Sequence, residues 1–441
     1  MAADDDRPAK ELVKLAKGFR KRSLVTAKTM TRLGWQAAKH SLKGSKSKER
    51  SEEDAVAFAT TMLAELDQLK GFAMKLGQMV SYLDSTLPPA AQKILAQLQS
   101  QSRPMEWDAI KALVEAELGK SPEEIFDDFA ETPIAAASIG QVHRASKNGK
   151  NLAVKVQYPE IRELLAADMK SITKLSKLAL SMFPLDGEAL ASELAIRMQE
   201  ECDYQLEAKN QKLFASIVND WPDSSVPDVL PDLSSERVLT TEFVDRNPFY
   251  KFLESATQDA KNRAGAAIFR FSFQSIFEFG IYNADPHPGN YLFSDQGEVT
   301  FLDFGCVKRF SGDLVDTWKR IANNVLSDDF AAFKTSIVEA GMVANQKKMN
   351  FETQWAAMQA MYKPMLSKEN SVITQDLIQD INSKVLFQNK NKRYMTMPAD
   401  WLFVNRLQWG LYSVLAHLES RVDYAGIFRE ALDSTPQPLQ S

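Results

Sequence analysis

Between residues 257 and 305 the chain passes through an apolar segment rich in Ala, Phe and Ile. It then runs through Asn283-Ala284-Asp285-Pro286-His287-Pro288-Gly289-Asn290, two short apolar runs, and Asp303-Phe304-Gly305. These residue types dictate an order of elements. Residues 257–279 read as a helix buried on several sides, and Gly280 ends it by supplying the left-handed conformation of a helix terminus. Tyr291-Leu292-Phe293 and Val299-Thr300-Phe301-Leu302, separated by a stretch with Asp295-Gln296-Gly297, read as a tight hairpin. Asp285 and Asn290 therefore share a loop after a buried helix, and Asp303 follows the hairpin. Singly, Asp-Pro and Asp-Phe-Gly carry little meaning. In this order, carboxylate, amide and carboxylate make an oxygen ligand set suited to a hard cation.

A second strand-rich region lies upstream. Ile134 to Arg144 and Leu152-Ala153-Val154-Lys155-Val156 flank Asn148-Gly149, a strong signal for a two-residue hairpin turn. Helical patterns follow over about 160–182 and 187–218, then short strands near 226–230 and 237–244. Lys155 in the middle of an apolar strand either faces outward or is buried and paired with anions such as phosphates and a Glu. The remainder to about 433 reads as helices.

At the start of the chain, residues 1–50 hold 14 Lys/Arg and 5 Asp/Glu, a charge of +9, which leaves −14 of the net −5 for the rest. Leu12, Leu15, Ala16 and Phe19 recur at helical spacing among Lys14, Lys17, Arg20 and Lys21, an amphipathic basic helix that either lies on a membrane surface or docks on its own protein. Ser51-Glu52-Glu53-Asp54 resembles a capping box opening a helix to about Tyr82, which Leu87-Pro88-Pro89 terminates. Helical patterns recur near 90–100 and 107–118.

With 44% hydrophobic and 25% charged residues, the composition is that of a globular protein able to bury a core. Two cysteines, Cys202 and Cys306, support neither a disulfide framework nor a thiolate zinc site. No run approaches the ~18 apolar residues of a membrane span, and the acidic first residues do not suit a signal or transit peptide. These features suit a soluble cytoplasmic chain, peripheral at most to an inner membrane.

Four motifs give the chain a family resemblance: Lys75-Leu76-Gly77-Gln78; Ala135-Ala136-Ala137-Ser138-Ile139-Gly140-Gln141-Val142-His143; Glu201-Cys202-Asp203-Tyr204 with Glu207 and Ala208; and Ala284-Asp285-Pro286-His287-Pro288-Gly289-Asn290. Together, over roughly residues 70–310, they resemble the UbiB/AarF family of atypical kinase-like proteins associated with ubiquinone biosynthesis. The resemblance implies an α+β, atypical protein-kinase-like two-lobed fold with a helical N-terminal extension and a mostly helical C-terminal lobe. Its divisions are a leader over 1–50, an extension over 51–130, an N-lobe over 131–245, a C-lobe over 246–433 and a tail over 434–441.

It implies ATP and Mg2+ as cofactors. Lys155 takes the phosphate-binding role, with Glu207 as its ion-pair partner and Asp285 as the catalytic Asp. Asn290 and Asp303 hold Mg2+. Ala135, Ala136, Ala137, Ser138, Glu242 and Val244 join Lys155 in nucleotide binding. Lys75, Gly77 and Gln78 cover the pocket, with Glu201 and Asp203 anchoring Lys75. The activity implied is that of an Mg-ATP-dependent ATPase or kinase serving ubiquinone or related isoprenoid-lipid biosynthesis. The alternatives are a phosphotransferase for another acceptor and a non-catalytic ATP-binding scaffold. The implied partners are an anionic membrane surface or isoprenoid-lipid intermediate and a biosynthetic protein complex, with no nucleic acid expected.

Three further expectations come from the residues. No GxGxxG is present, and alanines restrict positive φ, so the Ala-rich loop is expected to be stiffer than a glycine loop and to contact phosphates differently. A small-residue strand packed under a helix is the other reading. On one continuous helix, Glu200, Asp203 and Glu207 share a face while Glu201 points about 100° away. Finally, Asp303-Phe304-Gly305 leads almost directly into helical sequence, without Ala-Pro-Glu or the long segment that presents peptide substrates in kinases.

Overall fold

The computed structural model describes residues 105–137, 139–159, 161–162, 199–387, 389–396 and 399–437. Apart from Ile161 and Arg162 they lie in one compact unit, Pro104–Pro159 with Ile196–Ser441. The leader, the helical patterns before residue 101, the Lys75-Leu76-Gly77-Gln78 motif and Ser138 fall outside the described residues.

The elements that shape the site begin with helix α1 (Trp107–Leu118) and strands β1 (Asp128–Phe129), β2 (Ala135–Ala136), β3 (Gly140–Lys147) and β4 (Lys150–Gln157). Helix α2 (Tyr204–Val218) precedes β5 (Ser224–Ser225), β6 (Val238–Glu242) and β7 (Asn247–Pro248). Helix α3 (Gln258–Phe279) leads to β8 (Ile281–Asn283), β9 (Tyr291–Phe293), β10 (Val299–Phe301), β11 (Val307–Arg309) and helix α4 (Gly312–Leu326).

The first sheet runs β1-β3-β4-β6 with β2 also paired to β3. Asn148 and Gly149 close the β3–β4 hairpin with φ of 52° and 77°, the doubly left-handed turn whose twist matches the flanking strands. Strand alternation then decides the faces. Leu152, Val154 and Val156 pack with Ile110, Leu113 and Val114 of α1 and with Phe126 in one apolar core, so Lys155 must point to the opposite face.

The expected continuous helix over 187–218 is not what forms across its described part. The chain leaves the helix at Cys202 and Asp203, and α2 restarts at Tyr204 with Asp203 as its N-cap, the Asp203 side chain accepting from Leu206 N–H. An Asp satisfies a free N-terminal N–H better than it serves a helix interior, so the acidic run holds a boundary rather than a face. The shared face predicted for Glu200, Asp203 and Glu207 is therefore incorrect.

α3 is capped by the Thr257 side chain and by Gly280 at φ 65°, and it buries residues on several sides, among them Ala264, Ile268, Phe269, Phe271, Phe273, Ile276 and Phe277. Phe271 stacks on Phe301 with ring centroids 3.7 Å apart, and Gly265 lies so close to Ser420 that no side chain fits. Each buried Phe contributes about 1.5–3 kcal/mol, which makes α3 the rigid spine of the larger core. From its end, β8 pairs with β11 at Asn283↔Val307, and β9 pairs with β10 at Tyr291↔Phe301. The loop carrying Asp285 is thereby held beside the segment carrying Asp303. α4 begins soon after β11, capped by Ser311, and helices continue to Asp433.

Candidate nucleotide and metal site

Lys155 leaves β4 toward α2 and bonds both Glu207 oxygens, at 2.7 and 2.9 Å, and Asp303 Oδ2 at 3.4 Å. Its side chain is 14% exposed and that of Glu207 2%, so this pair is desolvated and firmly placed. Tyr204, one turn before Glu207 on α2, sets its ring 4.9 Å from the ammonium. Burial by itself opposes the charge on Lys155. The Asp303 and Glu207 carboxylates outweigh it and hold the ammonium well above the ordinary lysine range.

Burial pushes the Glu207 carboxyl up to about 7, against the pull of Lys155. This sets a pH dependence. A folded pKa above the free value of 4.5 means that the folded chain holds a proton the unfolded chain has lost. The associated stability is complete below about pH 4.5 and is lost as pH rises through about 7, with a slope of up to ~1.4 kcal/mol per pH unit. Urea unfolding from pH 5 to 8 is expected to show this slope in the wild type and a flatter one in Glu207→Gln. Equal slopes in the two would remove Glu207 as the titrating group.

The Asp285 loop is knit by its own polar groups. Asp285 is 6% exposed, and Asn290 Nδ2 donates to the Asp285 carbonyl at 2.9 Å and to its Oδ2 at 3.3 Å. The Asn290 carbonyl accepts from Leu302 N–H at 3.0 Å, linking this loop to the residue before Asp303. His287 Nδ1 accepts from Gly289 N–H at 3.0 Å and caps the turn, so that lone pair serves the loop and not a substrate proton.

Asp303 Oδ1 accepts from Gly305 N–H at 3.0 Å, and the side chain remains 28% exposed. A side chain at position 305 would stand 3.4 Å from Asp303 Oδ1, 3.5 Å from Glu207 Oε2 and 3.7 Å from Glu201 Cγ. Glu201 is thus buried beside the Asp303 segment, not turned away as one uninterrupted helix required. The break at Cys202 and Asp203 resets the geometry.

A divalent cation fits these donors. Asn290 spends its amide N–H on Asp285, which leaves Oδ1 as an acceptor, and Asp303 offers a partly exposed carboxylate. Among the described residues no group of three or more His, Cys, Asp or Glu could hold a metal. A cation held by these two residues would take its remaining ligands from phosphate oxygens and water, the habit of Mg2+.

The other sequence candidates are dispersed. Ala135 and Ala136 form β2 at the exposed edge of β3, opposite Val142 and Gln141, and Ala137 N–H donates to Gly140 O at 2.9 Å. Their exposure shows that none of the described helices covers β2. Glu242 ends β6 with its side chain 3.8 Å from Lys150, and Val244 follows just past the strand. Sequence reasoning assigned no role to Tyr204, Asn210 or Asn283. Spacing shows only that 204, 207 and 210 recur at helical steps and 283 and 285 at a strand step, not which carbonyl or ion each side chain meets.

With this geometry in place, comparison with known proteins is decisive. The ABC1 atypical kinase-like domain matches residues 97–337. The chain belongs to the ABC1 family, the UbiB/AarF group of atypical kinase-like proteins. Its fold is that of an α+β atypical kinase. The atypical kinase coq-8 of Caenorhabditis elegans, named as mitochondrial, is 28% identical over 85% of this chain and 51% of its own length. The probable serine/threonine-protein kinase abkA of Dictyostelium discoideum is 28% identical over 84% of this chain and 70% of its own. This ABC1 chain therefore spans only about half of the worm relative. The solved structure of Rv3197 from Mycobacterium tuberculosis, a complex with erythromycin, superposes with a TM-score of 0.66 at 26% identity, covering 88% of this chain and 99% of that one.

Proposed function

We propose that this ABC1 chain binds Mg-ATP and acts on its terminal phosphate as an atypical ATPase or kinase in ubiquinone or related isoprenoid-lipid biosynthesis. The observation that carries the ATP reading is Lys155, a buried ammonium between Glu207 and Asp303, the latter a partly exposed carboxylate. Lys155 would hold phosphate oxygens, Asn290 and Asp303 would hold Mg2+, and Asp285 would orient the attacking hydroxyl or water. Bound Mg2+ would neutralise charge on the phosphates. Exposed Ala135 and Ala136 with Ala137, and Glu242 at the end of β6 with Val244 just past it, would line the nucleotide. Ser138, outside the described residues, would join them as the family resemblance implies. Glu201 and Asp203 would meet Lys75, and Lys75, Gly77 and Gln78 would cover the pocket, as the family resemblance implies.

Hydrolysis or a small acceptor is favoured over a peptide. Only Cys306 through Ser311 separate Gly305 from α4, and β11 occupies half of that interval, so the long loop that docks peptides is lacking there. The lipid connection rests on the family resemblance. Among the described residues no helix is long and apolar enough to cross a membrane. The matching test is a phosphate balance on purified protein, with and without anionic liposomes and a polyprenyl-phenol. Free phosphate released faster with lipid is expected. Label transferred to a protein acceptor, with no lipid effect, would overturn the reading.

A further inference from the structure

We propose that Asn210 and Asn283 are positioning residues that together clamp the Asp303-Phe304-Gly305 segment in its metal-binding arrangement, an inference resting on the Mg-ATP reading above. Two successive carbonyls of that segment are taken by two side-chain amides from different elements. Asn283 Nδ2, at the end of β8, donates to Asp303 O at 2.6 Å, and Asn210 Nδ2, on α2, donates to Phe304 O at 3.2 Å. Both asparagines are buried, at 7% and 5% exposure, so water does not offer a substitute partner.

Each amide also belongs to a group that holds another site residue. Asn283 Oδ1 accepts from Asp285 N–H at 3.4 Å, so one side chain touches the backbones of Asp285 and Asp303. On α2, Glu207, Asn210 and Phe214 follow one another at i, i+3 and i+7 along one stripe. Glu207 grips Lys155, Asn210 grips Phe304 O, and the Phe214 ring lies 5.0 Å from the fully buried Phe304 ring.

Withdrawing the segment would leave two buried amides and the buried Phe304 carbonyl without partners, would free the carbonyl of half-buried Asp303, and would pull Phe304 from the core. Each of those losses is unfavourable where water cannot enter. Kinases that rely on a long segment after Asp-Phe-Gly order this region by ordering that segment. Here β11 and α4 follow at once, and the clamp replaces that device from within the fold.

Two readouts on the full chain test this. Native-state hydrogen exchange is expected to speed up about tenfold at 303–306 in Asn283→Ala and in Asn210→Ala, the loss of one buried hydrogen bond, while α3 keeps its protection. ATP affinity in Mg2+ is expected to fall by about the same factor, with affinity in EDTA unchanged. Asn283→His, which returns an N–H donor, should recover most of both. Unchanged exchange, equal losses with and without Mg2+, or a His variant no better than Ala would overturn the clamp. If the wild type takes up no Mg-ATP, the functional reading fails, and the exchange data still decide the clamp.

Discussion

Replacing Lys155 with Ala is expected to weaken Mg-ATP binding by about a hundredfold, because a charge-assisted contact to phosphate is lost from a desolvated site. The stability effect has a separate origin. Removing the ammonium leaves Glu207, 2% exposed, and Asp303 facing each other without their shared cation. Breaking a buried pair in this way costs about 3–5 kcal/mol, moderated here because Glu207 already titrates near 7 and takes a proton readily. Lys155→Met combined with Glu207→Gln is expected to recover most of the melting temperature and none of the binding. Calorimetric titration with Mg-ATP beside thermal melts of the wild type and the two variants separates the two effects. Lys155→Ala with unchanged affinity would remove it from the site.

Asp303→Asn is expected to cut phosphate release by about a thousandfold while leaving the fold intact, since a preorganised charge at a metal is the largest single contributor to such catalysis. Asn keeps the oxygen that accepts from Gly305 N–H at 3.0 Å and loses the charge together with the Oδ2 acceptor 3.4 Å from Lys155. ATP binding without Mg2+ should be unchanged or slightly tighter, because a carboxylate that repels phosphate has gone. A steady-state assay over a Mg2+ series checks this. A variant with the wild-type Mg2+ dependence would show that Asp303 does not hold the metal.

How far the sequence could be read follows from the range of the interactions concerned. The β3–β4 hairpin was legible because its turn needs positive φ at two adjacent positions, and Asn148-Gly149 tolerates it. The α3 helix was legible in its caps and composition, and Asp285, Asn290 and Asp303 in their spacing around a hairpin. The break before α2 was not. An Asp that caps a helix and an Asp on a helix face look alike inside Glu200-Glu201-Cys202-Asp203, and only the backbone tells them apart. That ambiguity misplaced Glu201. Asn210 and Asn283 were missed for another reason, as their partners lie 94 and 20 residues away in the chain and no periodic pattern reports a bond to a carbonyl. The Lys155–Glu207 bond is equally long-range, spanning 52 residues, and it entered the sequence reading through the family resemblance rather than through periodicity.

The most direct measurement is calorimetric titration of the purified chain with ATP, once in Mg2+ and once in excess EDTA, for wild type and Asp303→Asn. The arrangement of Lys155, Asn290 and Asp303 predicts one site per chain that tightens at least about tenfold with Mg2+ in the wild type and shows no such gain in the variant. Binding that ignores Mg2+ in the wild type, or a full Mg2+ effect in the variant, would contradict it.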